Sequence, residues 1–364
     1  MSFRTTISWM LLPLTLWYAA GVAVRNMLYG MGLLRQESPH VFTIGVGNLS
    51  TGGTGKTPMV EHLVRLLSPR YRVALLSRGY KRSTKGFVLC DGTPDPDRIG
   101  DEAAMMARKH PEAIVAVCEN RIEGINRLMS LANPPQVVLL DDSFQHRRIK
   151  PSLNILLTEY AHPYFDDFIL PYGNLREFRS ARQRANIIVV TKSPARLDPM
   201  EKHNIIASLG TKPYQKIFFS YLAYGTPVAL ADGSPRPLNP SDRLLLVTGI
   251  ARPEPLLAEM RKTHKVTHLR YADHHRYTQS DIADIATTLE QLGPDGVFVT
   301  TEKDAVKLKP LMAALPNVAA CYVPIEMHFH PSGDHDIDSQ VLQMVQENIQ
   351  FLFRLKNSPL TNSD

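Results

Sequence analysis

Apolar residues follow two spacings along most of the chain, short runs typical of buried strands and three-to-four-residue repeats typical of helices. One transition between them is distinctive. Val41–Val46 is an apolar and β-branched run, and apolar positions within residues 60–67 then recur at helical spacing. Between them lie a small, glycine-rich stretch, Ser50–Gly55, and the pair Lys56-Thr57. The pattern therefore predicts a strand, a glycine-rich loop and a helix, in that order.

Similar transitions recur downstream and predict an α/β fold. Predicted strands include Val137–Leu140, Ile187–Val190 and Lys216–Tyr224, and amphipathic stretches separate them. This alternation is typical of a mostly parallel sheet flanked by helices. A new series of strand, turn and helix after residue 213 predicts a second, smaller α/β domain. The predicted organisation is an apolar N-terminal helix region (1–37), a larger domain (38–213), the smaller domain (214–335), and a C-terminal helix with a polar tail (336–364).

The N-terminal region differs from the rest because the 20 residues between Arg4 and Arg25 carry no charge. Three interpretations compete: a cleaved signal peptide, a buried helix, and a membrane-attached helix that either spans the bilayer or lies at its surface. Trp9, Trp17 and Tyr18 are of the aromatic type that settles at a bilayer surface. A glycine-rich loop that leads through Lys-Thr into a helix can bind the phosphates of a nucleotide, and export would separate such a site from ATP. We therefore favour membrane attachment, with the globular part on the cytosolic side.

Composition narrows the functional classes only slightly. Lys and Arg total 41 against 35 Asp and Glu, giving a net charge of +6. This mild excess suits anionic small molecules or an anionic membrane face, and is too diffuse to indicate nucleic acid. The 3 cysteines are far apart in the sequence, which favours a reducing compartment and indicates neither a disulfide framework nor a zinc site.

The loop before Lys56 has the features of a phosphate-binding loop. Glycines let backbone N–H groups close around phosphates, Lys56 reaches the β- and γ-phosphates, and the Thr57 hydroxyl can ligate Mg²⁺. Ser50 stands where the general pattern has glycine, so an ordinary glycine-rich turn is the alternative. The strand before and the helix after favour ATP and Mg²⁺ as cofactors. The predicted phosphate ligands are Gly52, Gly53, Thr54, Gly55, Lys56 and Thr57.

Acidic residues occupy two further positions of interest. Asp141 and Asp142 end a predicted buried strand, where the usual partner of a phosphate loop holds Mg²⁺. Asp101 and Glu102 open a predicted helix. They either suit the helix N-terminus electrostatically or face a substrate hydroxyl or a metal.

Arg78 and Arg176 each allow a surface interpretation and a functional one. The loop containing Arg78 is either solvated surface or part of the ligand edge of the sheet. Arg176 is either on the wet face of a helix or placed to stabilise a transferring phosphoryl group. The Thr191–Pro194 segment resembles the guanine-reading position of GTPases, but Pro194 replaces the aspartate, so guanine specificity is not supported.

Eight short motifs occur in order along the chain: GNLSTGGTGKTP, SRGYKR, GDE, LLDDSFQHR, LPYGNLRE, VTGIARPE, DHHRY and TEKDAVK. Together they resemble the tetraacyldisaccharide 4'-kinase family of lipid A biosynthesis. The resemblance covers roughly Val41–Lys307, and Ser50 fits this family's variant of the phosphate loop. It implies a P-loop NTPase-type fold and transfer of the γ-phosphoryl group of ATP, with Mg²⁺, to the 4'-hydroxyl of a tetraacyldisaccharide 1-phosphate lipid A precursor. It also implies the cytosolic face of the bacterial inner membrane.

The resemblance implies a role for each candidate site residue. Asp101 is expected to accept the proton of the sugar hydroxyl, helped by His274 from the smaller domain. Ser143 stands where the resemblance has glycine, which would matter if that position had a positive φ. The implied catalytic residues are Asp101, Asp142, Arg176 and His274, the metal ligands are Thr57, Glu102 and Asp141, and the substrate contacts are Arg78, Asp142, His146 and Glu177.

Two other functions remain as alternatives. The chain could be a phosphate-loop kinase of a soluble metabolite, or a nucleotide-dependent switch whose hydrolysis drives a partner. The expected partners are the lipid A precursor and the inner-membrane surface, with no nucleic acid and no obligate protein partner.

Overall fold

Two β-sheets flanked by helices form the framework of the protein. The computed structural model describes residues 11–357 apart from 274, 313–314, 316–317 and 333–335. Within the described residues, one sheet has nine strands and the other has five. The α/β fold with a mostly parallel sheet that the sequence predicts is confirmed.

The nine-stranded sheet is parallel except at its two edge strands. Its spatial order is β14-β8-β7-β6-β1-β5-β2-β4-β3, with β14 and β3 antiparallel to their neighbours. The strands are β1 (Phe42–Asn48), β2 (Val73–Ser77), β3 (Val88–Leu89), β4 (Ile114–Val117), β5 (Val137–Leu140), β6 (Leu153–Glu159), β7 (Ile187–Thr191), β8 (Lys216–Tyr224) and β14 (Ile325–Phe329).

The five-stranded sheet has the order β11-β10-β12-β13-β9, and only β9 is antiparallel to its neighbour. Its strands are β9 (Val228–Ala229), β10 (Arg243–Thr248), β11 (Lys265–Arg270), β12 (Gly296–Thr301) and β13 (Ala320–Val323). The described α-helices are α1 (Leu12–Gly30), α2 (Lys56–Leu67), α3 (Pro96–Ile99), α4 (Asp101–Lys109), α5 (Arg121–Met129), α6 (Pro199–Ser208), α7 (Glu254–Arg261), α8 (Gln279–Leu292), α9 (Glu302–Met312) and α10 (Ile337–Asn357).

Strand β1 lies near the centre of the larger sheet and is buried along its whole length. Helices cover both faces of a parallel sheet, which is why such strands are continuously apolar. Val60 and Leu63 of α2 pack on one face together with β1. Since β1 and β5 are parallel neighbours, with Gly45 opposite Leu140, the loops that follow the two strands leave the sheet at the same edge.

The nine-stranded sheet contains strands from both sides of the predicted domain boundary at residues 213–214. Strands β8 and β14 lie within residues 214–335 but pair in the nine-stranded sheet. Ile337 and Val341 of α10 pack into the same hydrophobic core as β1. The domain boundaries themselves stay a prediction.

Helix α1 lies against the larger sheet's loops through polar contacts. Its Thr15 and Val22 are buried, whereas Leu14, Leu16 and Trp17 are exposed. Within the described residues, no helix combines the length and the apolar character needed to cross a bilayer.

Candidate active site

The phosphate-binding loop has the backbone that the sequence predicts. Gly55 precedes α2 with φ 85°, and Gly52 has φ 105°, two conformations that favour glycine. No described atom lies within 4 Å of a β-carbon added at Gly52 or Gly53, so this part of the loop is open. Open glycines before a helix N-terminus leave backbone N–H groups available to phosphate oxygens.

Four side chains form a compact polar group beside this loop, which we call the Asp142 cluster: Asn48, Lys56, Asp142 and Arg176. The Arg176 guanidinium donates to both carboxylate oxygens of Asp142, at 3.0 and 3.3 Å. Lys56 Nζ lies 3.7 Å from Asp142 Oδ1 and 3.5 Å from Asn48 Oδ1. Arg176 also donates to the Asn48 side chain. A two-pronged arginine contact fixes orientation as well as charge, so Asp142 is held rigidly.

The segment that carries Arg176 pairs with the phosphate loop through its backbone. The Thr51 N–H donates to the Asn174 carbonyl at 2.8 Å, and the Arg176 N–H donates to the Leu49 carbonyl at 2.7 Å. These bonds place the guanidinium beside the phosphate site. Arg176 therefore lies beside the phosphate-binding loop, and its role in stabilising a phosphoryl group stays a prediction.

The acidic pair follows β5, and Asp142 has an unusual backbone. Its φ is 47°, in the left-handed region that aspartate tolerates better than most residues. The positive φ thus falls on Asp142, while Ser143 is not among the residues with positive φ. Serine in place of the expected glycine at 143 consequently causes no backbone strain of that kind.

Asp141 is the more buried member of the pair. Its Oδ1 is buried and has no hydrogen-bond partner among the described residues. Burial, with the negative charges of Glu102 and Asp142, raises the pKa of Asp141 to about 7. For Asp142, burial alone would raise the pKa, but the hydrogen bonds from Arg176 and the charge of Lys56 outweigh it and lower the pKa.

An unpartnered buried carboxylate oxygen close to a second carboxylate fits a magnesium ion. In the part of the chain that the structure describes, no group of three or more His, Cys, Asp and Glu side chains has a metal-site arrangement. Mg²⁺ is commonly held by only one or two carboxylates, with phosphate oxygens and water completing its shell. Asp141, with the negative charge of Glu102 near it, is compatible with such a site. Metal binding by Thr57, Glu102 and Asp141 stays a prediction.

His146 and two arginines lie on the other side of the acidic pair. Burial and the positive charge of Arg121 lower the pKa of His146 to about 4, so its imidazole is neutral near pH 7. Arg121 donates to the carbonyl oxygens of Cys118 and Asp141. His146 and Arg121 both line a cavity of about 340 Å³. The exposed Arg78 contributes positive charge to the same region.

Asp101 contacts the part of the chain that contains the smaller sheet. Its Oδ2 lies 2.7 Å from Nζ of Lys307 on α9. Lys307 also donates to the carbonyl oxygen of His275, at 3.2 Å. The Asp101 helix and the DHHRY loop are thus brought together, whereas His274 itself lies outside the described residues.

Glu177 is fully buried, and both of its oxygens are engaged. Arg25 of α1 donates to one at 2.9 Å and Arg184 to the other at 2.7 Å. This arrangement favours a structural function, in which Glu177 holds α1 against the loop after Arg176. Its substrate contact stays a prediction.

Two residues of the site were not identified from the sequence. Asn48 ends β1 and accepts hydrogen bonds from Lys56 and Arg176; a polar residue ending an apolar strand just before the glycine-rich loop was the available signal. Arg121 is buried at the start of α5, and its sequence position, one residue after the helix cap Asn120, gave no comparable indication.

Comparisons with known proteins agree with this geometry. A family model described as Tetraacyldisaccharide-1-P 4'-kinase matches residues 7–346. Tetraacyldisaccharide 4'-kinase of Bacteroides fragilis (strain YCH46) is 39% identical, with 93% of each chain covered. The protein of the same name from Flavobacterium johnsoniae is 41% identical, with 93% of this chain and 98% of its own covered. A crystal structure of LpxK from Aquifex aeolicus in complex with ATP has a TM-score of 0.73 at 25% identity, covering 94% of this chain and 99% of that one. The resemblance carried by the motifs is confirmed, and the chain belongs to the tetraacyldisaccharide-1-P 4'-kinase family.

Proposed function

We propose that this chain transfers the γ-phosphoryl group of ATP to the 4'-hydroxyl of a tetraacyldisaccharide 1-phosphate lipid A precursor. Family membership supports the reaction, and the Asp142 cluster is the observation that supports its location. Lys56 Nζ and the Arg176 guanidinium both face Asp142 beside an open phosphate-binding loop. Phosphoryl transfer needs positioning and charge neutralisation more than covalent chemistry, and this arrangement provides both.

Each residue contributes a distinct part of the reaction. The backbone N–H groups of residues 52–55 and the Lys56 ammonium bind the phosphates of ATP. Asp141, Glu102 and Thr57 hold Mg²⁺, which when bound neutralises charge that develops on the phosphates. Arg176 orients Asp142 and adds positive charge next to the transferring group.

The acceptor hydroxyl needs a base and a binding surface. Asp101 accepts its proton, and the cavity lined by His146 and Arg121 receives the sugar. A neutral His146 hydrogen bonds to a hydroxyl without adding charge to this region.

Asp101→Ala is expected to lower kcat by on the order of 10², with ATP binding retained. Near-normal turnover of this variant would exclude Asp101 as the base.

The reaction is tested with the full chain, γ-labelled ATP, Mg²⁺ and tetraacyldisaccharide 1-phosphate in detergent micelles. We expect label on the lipid, and its loss in Lys56→Ala. Lys216→Ala is the control because Lys216 is an exposed lysine at the start of β8, outside the candidate site. ATP hydrolysis without lipid labelling would instead support a nucleotide-dependent switch.

The exposed apolar side of α1 supports association with the surface of a membrane. Leu14, Leu16 and Trp17 are 59%, 65% and 80% exposed. An apolar helix face at a bilayer surface would bring the site to its lipid acceptor.

We expect the full chain to co-sediment with vesicles of bacterial lipid, and the double variant Leu14→Ser with Trp17→Ser to bind these vesicles less. Full activity on the lipid after deletion of residues 1–36 would show that α1 is not needed to reach the acceptor.

A further inference from the structure

Helices α4 and α9 are joined by ion pairs at both ends of α4. At its first residue, Asp101 Oδ2 lies 2.7 Å from Lys307 Nζ. At its last residue, Lys109 Nζ lies 2.6 Å from Glu302 Oε1. Helix α4 lies between β3 and β4 of the nine-stranded sheet, whereas α9 directly follows β12 of the five-stranded sheet. The position of α4 therefore depends on α9.

The pair between Asp101 and Lys307 is shielded from water. The Lys307 side chain is 13% exposed and the Asp101 side chain is 16% exposed. Partial burial keeps such a pair from being screened as surface pairs are. The pair consequently restrains the carboxylate more than an exposed lysine would.

Lys307 also contacts a third segment. Its Nζ donates to the His275 carbonyl oxygen at 3.2 Å, so one ammonium group contacts the start of α4 and the DHHRY loop while belonging to α9. A lysine ammonium has three N–H donors and can satisfy both acceptors at once.

The backbone before Asp101 leaves little room for adjustment. Gly100 has φ 88°, and a β-carbon there would lie 2.9 Å from the Tyr80 carbonyl oxygen. The chain thus enters α4 along a path only glycine fits easily. With the backbone fixed, the remaining freedom of Asp101 is in its side chain, and Lys307 restrains that side chain.

We infer that Lys307 is a positioning residue for phosphoryl transfer. It holds the Asp101 carboxylate at the angle needed to meet the acceptor hydroxyl, and it does so only when α9 and the DHHRY loop are seated on α4. This inference rests on the proposed role of Asp101 as the base. It explains how the smaller sheet, which has no phosphate-binding loop of its own, takes part in the reaction.

Lys307→Met is the primary test. Misplacement of a reacting group by about 1 Å costs on the order of 10² in rate, so we expect kcat to fall by ~10- to 100-fold with the KM for ATP little changed. Lys307→Arg keeps a cation of similar reach and should recover part of the loss. Lys309→Met is the matched control, the same change at an exposed lysine of the same helix. Equal losses in Lys307→Met and Lys309→Met, or a rise in KM alone, would overturn the inference.

A double-mutant cycle separates this inference from the proposed function. If Lys307 acts through Asp101, then Asp101→Ala with Lys307→Met should be no slower than Asp101→Ala alone. Losses that multiply would overturn the inference while leaving Asp101 as the base. Normal turnover of Asp101→Ala would overturn the proposed base, and with it the inference. Circular dichroism melting of each variant checks that a loss of folding does not produce the result.

Discussion

Two adjacent aspartates of the site have pKa values shifted in opposite directions. Asp141 and Asp142 are adjacent, yet burial with nearby carboxylates raises the pKa of Asp141 to about 7, and Arg176 and Lys56 offset burial to lower that of Asp142. Asp142, whose φ is positive, accepts hydrogen bonds from Arg176 on both of its carboxylate oxygens. Asp142 is therefore already paired with a cationic side chain, which supports the proposal that Asp141 is the carboxylate that binds a metal ion.

Asp141→Asn tests whether Asp141 is the carboxylate that binds the metal ion. Removing the charged oxygen should raise the Mg²⁺ concentration for half-maximal activity by roughly 10- to 100-fold, the range seen when metal-supporting groups are lost. A titration of kinase activity with MgCl₂ measures it. Asp295→Asn serves as the control, since Asp295 is an exposed aspartate before β12. An unchanged titration in Asp141→Asn would assign the cation to other ligands.

The sequence identified individual site residues where a strand or loop pattern preceded them. Asp141 and Asp142 were found because they end an apolar run, and Lys56 because it lies between a glycine-rich loop and an amphipathic stretch. The function of Glu177 in holding α1 was not predictable, since its partners Arg25 and Arg184 come from other segments and only folding brings them together. Lys307 was quoted within a motif but had no assigned partner for the same reason.

At the level of elements, the approach of β1 to the loop after β5 is unusually close. A β-carbon added at Gly47 would lie 2.6 Å from the Phe144 β-carbon and 2.8 Å from its backbone nitrogen. Backbone atoms cannot move aside cheaply, so this glycine lets the acidic pair approach the phosphate loop.

Gly47→Ala should destabilise the protein by roughly 1–3 kcal/mol, the usual cost of forcing extra atoms into a packed region. Urea denaturation monitored by fluorescence measures the change. Gly53→Ala is a fitting control because no described atom lies within 4 Å of its added β-carbon. Equal stability of the two variants would show that the loop after β5 shifts freely.

A buried polar group joins α2 to α4 and should give the fold a pH dependence. His110 lies 3.8 Å from Glu61 and 3.0 Å from Glu112. Burial would lower the pKa of His110, but these carboxylates outweigh it and raise the pKa. The folded protein then binds this proton more tightly than the unfolded chain does.

The stabilisation from His110 is fully present below about pH 6.5 and is lost as pH rises through the folded-state pKa. Wild-type stability should therefore fall on going from about pH 6 to about pH 8. His110→Gln should flatten this part of the curve in urea denaturation at several pH values. A slope that is the same in the variant would mean that other groups produce it.

Strands and helices were predicted from the sequence with unequal success. The bounds of β5 and β8 match the predicted ranges because each is a continuous apolar or aromatic run. Strands β11 and β14 were missed since histidines and charged residues interrupt their apolar pattern. Helix α6 was missed as well; it has no buried residue, so it lacks the apolar stripe that marks a helix.

For the molecule as a whole, one lysine connects the two sheet systems. Lys109 Nζ lies 2.7 Å from Glu61 on α2 and 2.6 Å from Glu302 on α9. Both glutamates are shielded, with side chains 3% and 13% exposed. Removing this ammonium takes a compensating charge from both carboxylates at once, although Glu61 keeps its contacts with Arg65 and His110.

Lys109→Met should cost about 3 kcal/mol, because removing one partner of a buried pair leaves uncompensated charge. The two sheets should also become less strongly coupled in unfolding. Differential scanning calorimetry measures both effects, the second as a broader or divided transition. Lys265→Met provides the control at an exposed lysine of β11. A single unshifted transition in Lys109→Met would contradict the prediction.

The way α1 is held has a practical consequence for inhibition. The Tyr18 hydroxyl donates to the Arg176 carbonyl oxygen at 3.0 Å, and Arg25 pairs with Glu177, the next residue. A small molecule that bound between α1 and residues 176–177, in place of these two contacts, would displace Arg176 without occupying the phosphate site. Such a compound need not resemble a nucleotide, so abundant cellular ATP would not displace it.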